Sequence, residues 1–126
     1  MPDSVTSPAV LICNHIVKVT NDYTGRGPTK ARAHINEDLV TVVLQEILLK
    51  GERSLVADGR GEEVLRMRRA FQDTMQKDYV AGIEQILGRK VSAFLSANHL
   101  DPDVAIESFM LHPVDQGGAG RGKPAA

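Results

Sequence analysis

A helix-like segment that ends in Gly25-Arg26, and is followed by two strand-like runs, has a counterpart 63 positions later that ends in Gly88-Arg89. The offset places Ile12 on Met75, Ile16 on Tyr79 and Tyr23 on Ile86. Beyond the glycines, Lys30-Ala31-Arg32-Ala33-His34-Ile35 and Lys90-Val91-Ser92-Ala93-Phe94-Leu95 both read as strands. Each is followed by a turn rich in Asn and Asp and then by a second apolar run. An internal repeat bounds the architecture before any motif is read. Two units fit a pseudo-symmetric α+β domain, since a solenoid needs three or more.

Within the first unit, Pro8 suits a first helical turn, and Ala9, Ile12, Ile16, Val19 and Tyr23 follow at spacings of three or four as one apolar stripe. Asn21 to Gly25 ends that helix. Lys30, Arg32 and His34 then alternate with Ala31, Ala33 and Ile35, the period of a strand with one wet face. After an Asn36-Glu37-Asp38 turn, Leu39 to Leu44 is apolar on both faces apart from Thr41, which predicts a central strand. A short helical connector holds Glu52 to Val56. A long helix starts near Glu62, carries Val64, Phe71, Met75, Tyr79, Ile83 and Ile86 on one side, and is capped by Gly88. Strands Lys90 to Ser96 and Val104 to Leu111 flank the turn formers Asn98 to Asp103.

The predicted architecture is a duplicated αββ-αββ α+β fold, a four-stranded antiparallel sheet with two main helices on one face. One domain spans residues 8–113, between a flexible segment 1–7 and a Gly-rich tail 114–126 with the composition of disorder. Phe94, Phe109, Leu111 and part of the 39–44 run cannot all point to the helices if adjacent strand residues face opposite ways. Some therefore belong to a second apolar surface, and a homodimer is expected.

Composition excludes several classes. With 15 Lys plus Arg against 16 Asp plus Glu, and 4 % aromatic residues, the chain lacks the charge excess and stacking surface of a nucleic-acid binder. No apolar run approaches the roughly 20 residues of a membrane span, and Met1-Pro2-Asp3-Ser4 does not read as a signal peptide. A single cysteine, Cys13, excludes an internal disulfide and suits a reducing compartment, so a cytoplasmic protein is expected.

Gly25-Arg26-Gly27-Pro28-Thr29-Lys30 has the composition of a phosphate loop but runs from helix to strand, the reverse of a P-loop. A helix C-cap with a proline restart accounts for it, and a basic anion-binding edge with Arg32 and His34 is the functional alternative. Asn98-His99-Leu100-Asp101-Pro102-Asp103 groups an imidazole with two carboxylates, yet lacks calcium-loop spacing or a second histidine, and turn chemistry explains it. Arg66, Arg68 and Arg69, near Glu62, Glu63 and Asp73, read as a solvated mixed-charge helix surface able to anchor a partner. No catalytic triad, CxxC pair, dinucleotide fingerprint or paired-carboxylate signature is present. The enzyme case is weak, and no cofactor or metal is expected.

Taken together, Tyr23 to Arg32, Lys50 to Val56, Gly59-Arg60-Gly61-Glu62 leading to Met67 to Gln72, and Gly88 to Val91 with Asn98 to Asp103 resemble the MpsC family. This bacterial family is named for the Na+-translocating membrane-potential-generating system, and the resemblance covers about residues 8 to 113. It implies a soluble accessory or regulatory protein that docks to a membrane cation or inorganic-carbon transport system, peripheral to the inner face of the membrane. It carries no agreed catalytic residues. The candidate binding residues, chosen on chemistry and on their place in these motifs, are Arg26, Lys30, Arg32, Arg68, Arg69, Arg89, His99, Asp101 and Asp103. The alternative is a small-ligand or anion-binding domain, or a small enzyme, built on the Gly25–Lys30 loop and the Asn98–Asp103 turn.

Overall fold

The structure, a computed structural model, describes residues 6–114. Helix α1 (Pro8–Thr24) begins where the Ser7 hydroxyl accepts the backbone N–H of Val10, with proline in the first turn. It ends at Gly25, whose φ of 83° is the left-handed conformation that only glycine adopts without cost. Strands β1 (Lys30–Asn36) and β2 (Leu39–Gln45) form a hairpin, and α2 (Lys50–Ala57) leads into the long α3 (Gly61–Leu87). Gly88, at φ 65°, caps α3, and β3 (Val91–His99) and β4 (Val104–Leu111) complete the chain.

The sheet order is β1-β2-β4-β3, antiparallel throughout, so each hairpin contributes one central and one edge strand. The chain is thus α+β, with three helices and a four-stranded sheet. Its core joins Ile12, Ile16 and Val19 of α1 and Met75, Tyr79 and Ile83 of α3 to one face of the central strands: Val40, Val42 and Leu44 of β2, and Ala105, Phe109 and Leu111 of β4. The rings of Tyr79, Phe94 and Phe109 meet at centroid distances of 5.1 to 6.5 Å, within the favourable range for aromatic pairs.

Three expectations change. Phe94, Phe109 and Leu111 all face the helices, so the second apolar surface is made of other residues: Leu39, Leu95, Ile106 and Met110 are 37 to 58 % exposed. The cause is phase. β4 alternates Ala105, Glu107, Phe109 and Leu111 inward against Ile106 and Met110 outward, and its apolar residues fall on both phases. Second, β3 runs on to His99, so Asn98 and His99 belong to the strand and the turn shrinks around a cis Asp101–Pro102 bond. Third, Arg68 is buried, in line with Val64 and Gln72, while Arg66 and Arg69 are exposed. The expectations for segment 1–5 and for tail 115–126 lie outside the described residues.

On the open side of the sheet the cross-strand register lines up Lys30-Gln45-Val104-His99, Arg32-Val43-Ile106-Ala97, His34-Thr41-Ser108-Leu95 and Asn36-Leu39-Met110-Ala93. Apolar side chains occupy the middle of this face, and the basic ones lie along β1.

Candidate functional site

Along α3 the buried stripe reads Val64, Arg68, Gln72, Met75, Tyr79 and Ile83, at spacings of three and four. Two of its members are polar, and below them β4 presents Glu107, 1 % exposed. The result is a polar cluster inside an otherwise apolar core.

Arg68 Nη2 donates to the Ile47 carbonyl and to Glu52 Oε1, both at 2.6 Å. Glu52, on α2 and also buried, accepts from the Leu49 backbone N–H at 2.8 Å through the same oxygen, and so closes the start of α2. One turn along, Gln72 and Asn98 exchange hydrogen bonds of 3.0 and 2.9 Å, and the second Gln72 amide proton goes to Glu107 Oε2 at 3.3 Å. Deeper in, Tyr79 and Thr20 lie 2.7 Å apart, oxygen to oxygen. Since the Thr20 hydroxyl donates its one proton to the Ile16 carbonyl, Tyr79 is the donor of that pair. Burial first, and the neighbouring Glu107 second, push the Tyr79 phenol well above its ordinary range.

Glu107 stands apart from Glu52. Its Oε1 has no hydrogen-bond partner, nor have Arg68 Nε and the hydroxyl of Ser96, its cross-strand neighbour. Burial pushes its carboxyl up to about 7, against the opposing pull of Ser96, the Gln72 amide and the Arg68 guanidinium. Arg68, Gln72, Tyr79, Thr20 and Glu107 line a small chamber of about 10 Å³.

The residues predicted from sequence do not converge on one pocket. Three of them, from separate motifs, converge on the linker between β2 and α2 instead. Arg26 Nη1 donates to the Leu48 carbonyl at 2.7 Å, Arg68 takes the Ile47 carbonyl, and Asp103 Oδ2 accepts the Leu48 N–H at 2.9 Å. The Asp103 carbonyl adds a bond from the Glu46 N–H. Glu46 itself has a φ of 60°, and conformations of that kind persist in a non-glycine residue only where the surroundings hold them. Arg89 does the same work at the other end of the sheet, where it bonds the Glu37 and His112 carbonyls and Asp38 Oδ1 and ties the β1–β2 turn to the chain after β4. These arginines are staples.

The remainder lie at the surface. Lys30 sits 4.0 Å from Glu46, Arg32 and Arg69 are exposed, and His99 Nδ1 meets the Pro102 carbonyl within its own turn. Lys30 and His99 end one row of the open sheet face, three strand spacings or roughly 14 Å apart. Asp101 and Asp103 edge an open groove of about 320 Å³ between α2 and the β3–β4 turn, floored by Leu48, Val56 and Leu100, with Arg53 Nη1 3.8 Å from Asp103 Oδ2. Gln72, Asn98 and Glu107 were missed from sequence. Helical spacing from Val64 through Arg68 to Met75, and the strand phase shared with Ala105 and Phe109, are the signals that place Gln72 and Glu107 inside.

Fold and site together define a small α+β protein with a polar cluster inside its core, and none of its described helices is long and apolar enough to cross a membrane. Residues 9–113 match the family model described as Na+-translocating membrane potential-generating system (MpsC), and the chain belongs to that family. A search of the curated proteins and of the solved structures found no match.

Proposed function

We propose that this chain is a soluble accessory or regulatory component of a Na+ membrane-potential system, acting from the cytoplasmic side as a homodimer that docks to membrane subunits. Family membership carries the link to such a system. The open sheet face supports pairing: Leu95, Ile106, Met110 and Leu39 lie on adjacent strands with none of the described helices over them, a grouping that on a monomer leaves apolar surface in water. The two hairpins meet at the central β2–β4 pair, which supports descent from a duplicated αββ unit and lets the face match a copy of itself about a two-fold axis. On this reading the domain is bounded at about 8 and 113.

The experiment is co-expression of tagged and untagged chains in the native host, gentle solubilisation and affinity capture, with Leu95→Glu/Ile106→Glu as comparison. The wild type should recover the untagged copy together with membrane transport subunits, and the variant should lose the untagged copy. A wild type that elutes alone, as a monomer by light scattering, overturns the proposal. The groove edged by Asp101 and Asp103 favours a second reading, a small-ligand site, since apolar floor and charged rim are the make-up of such sites. Capture without membrane subunits, but with a small molecule lost in Asp101→Ala, would select it.

A further inference from the structure

Two glutamates are buried in this domain, and only one is satisfied. Glu52 has Arg68 and the Leu49 N–H on a single oxygen. Glu107, on a central strand, has one 3.3 Å bond from Gln72 to Oε2 and none to Oε1. An ionised carboxylate with a bare oxygen in an apolar interior is strongly disfavoured unless a donor or counter-charge reaches it.

Every element packed around Glu107 bears on how it can be relieved. From α3 it meets Arg68, Gln72 and Tyr79, and from α1 the Thr20 hydroxyl behind Tyr79. From β3 it meets Ser96, with Asn98 held on Gln72, while β2 and the following linker present only Leu44 and Ile47 to the chamber. Arg68 is the one charged group among them. Both of its bonds run from Nη2, to Ile47 and Glu52, and its Nε is unpartnered. The Ser96 hydroxyl, which has no other partner, can accept from the neutral acid or turn to donate to the ionised one, and Tyr79, having given its proton to Thr20, offers free lone pairs to the neutral acid on the same chamber. At about 10 Å³ the chamber has room for one water to relay such a bond.

We propose that Glu107 is a reversible proton-binding site of the folded domain, with Arg68 across the chamber as the counter-charge that its ionised form recruits. Release of the proton draws the unpartnered Arg68 Nε–H toward Glu107, on the guanidinium whose Nη2 already holds Glu52 and the Ile47 carbonyl. The same guanidinium holds the β2–α2 linker, so proton occupancy bears on the packing of α2 against α3. The upward push of burial on the Glu107 acid, to about 7, puts this exchange near neutral pH. The inference is independent of which partner the protein docks to.

The test is carboxyl ¹³C NMR on the full chain labelled in glutamate, titrated from about pH 4 to about pH 9, with each carboxyl assigned through bonds to its own backbone amide. The Glu107 carboxyl should titrate at least one pH unit above the ordinary glutamate value of about 4.3. The Arg68 Nε–H resonance should move with the same midpoint. Assignment in the wild type makes the result independent of any variant, and Glu107→Gln, if folded, should abolish the Arg68 movement. A Glu107 carboxyl that titrates in the ordinary range, or holds one form across the titration, overturns the site; a static Arg68 Nε overturns its role as counter-charge.

Discussion

Arg68→Met is the substitution that most directly tests how the interior is held together. The Arg68 and Glu52 side chains are 7 % and 4 % exposed, and two bonds of 2.6 Å leave Arg68 Nη2 for Glu52 and for the Ile47 carbonyl. Methionine keeps much of the volume but leaves Glu52 buried, charged and supported only by the Leu49 N–H, with the Ile47 carbonyl bare. An unsatisfied buried carbonyl costs about 1–3 kcal/mol, and breaking a buried ion pair from one side about 3–5 kcal/mol in all. Against the roughly 5–15 kcal/mol stability of an ordinary domain, that is a large fraction. Arg68→Met/Glu52→Leu removes the orphaned charge as well, leaving mainly the bare Leu49 N–H and Ile47 carbonyl, so the double variant should be more stable than Arg68→Met alone. Urea unfolding of the wild type, both single variants and the double gives the coupling directly. A single variant that loses under about 1 kcal/mol, or a double that loses the sum of the two singles, refutes this account of the pair.

Two further substitutions have signs fixed by the structure. The Glu107 carboxyl is raised in the folded state from 4.5 to about 7, so the stability it confers is complete below 4.5 and is lost as pH rises through about 7. At 1.36 kcal/mol per unit this amounts to about 3 kcal/mol, and Glu107→Gln, a permanently uncharged isostere, should lack that loss and be the more stable form at pH 8 by urea unfolding; equal pH slopes in the two proteins would contradict it. At Gly82, within α3, an added Cβ would fall inside the imidazole of His15, whose Nε2 lies 2.9 Å from the Asp78 carbonyl. Gly82→Ala should therefore push the His15 ring off the Asp78 carbonyl and lose about 0.5–1.5 kcal/mol of hydrogen bonding, which cancels most of the helix gain, while in a His15→Ala background the same change should stabilise by about 0.5–1 kcal/mol, the ordinary gain of alanine over glycine in a helix, both read by thermal unfolding.

Features governed by chain-local chemistry were legible. Gly25 and Gly88 stand where helices need a left-handed residue, Pro8 opens α1, and the apolar run from Leu39 to Leu44 is a central strand as expected, although helices cover only one of its faces and Leu39 and Val43 lie on the open one. Strand phase was not legible, because β2 and β4 carry apolar residues on both phases and alternation gives a period without an origin. Asn98 looked like a turn residue because asparagine competes for local backbone bonds, and here Gln72, 26 positions away, satisfies it instead. Arg68, Gln72 and Glu107 sit where the helical and strand periods require buried residues. A reading that counts only apolar side chains passes over them; the tertiary partners Glu52, Ile47 and Asn98 make the burial of Arg68 and Gln72 tolerable, while Glu107 is left with Gln72 alone.

That pattern changes where docking should be sought. Arg26, Arg68, Arg89 and Asp103 drew attention as charged residues in family-like motifs, and each is bonded to backbone around Glu37–Asp38, Glu46–Leu49 or His112. Substituting any of them removes a staple from a linker or turn, so a lost interaction in Arg68→Glu would report disturbed packing before it reported a lost contact. Leu95 and Ile106 are 58 % and 42 % exposed on the open face, away from both the core and the staples. Changing them alters what the sheet presents while the interior keeps its partners, so a binding defect there can be read as a binding defect.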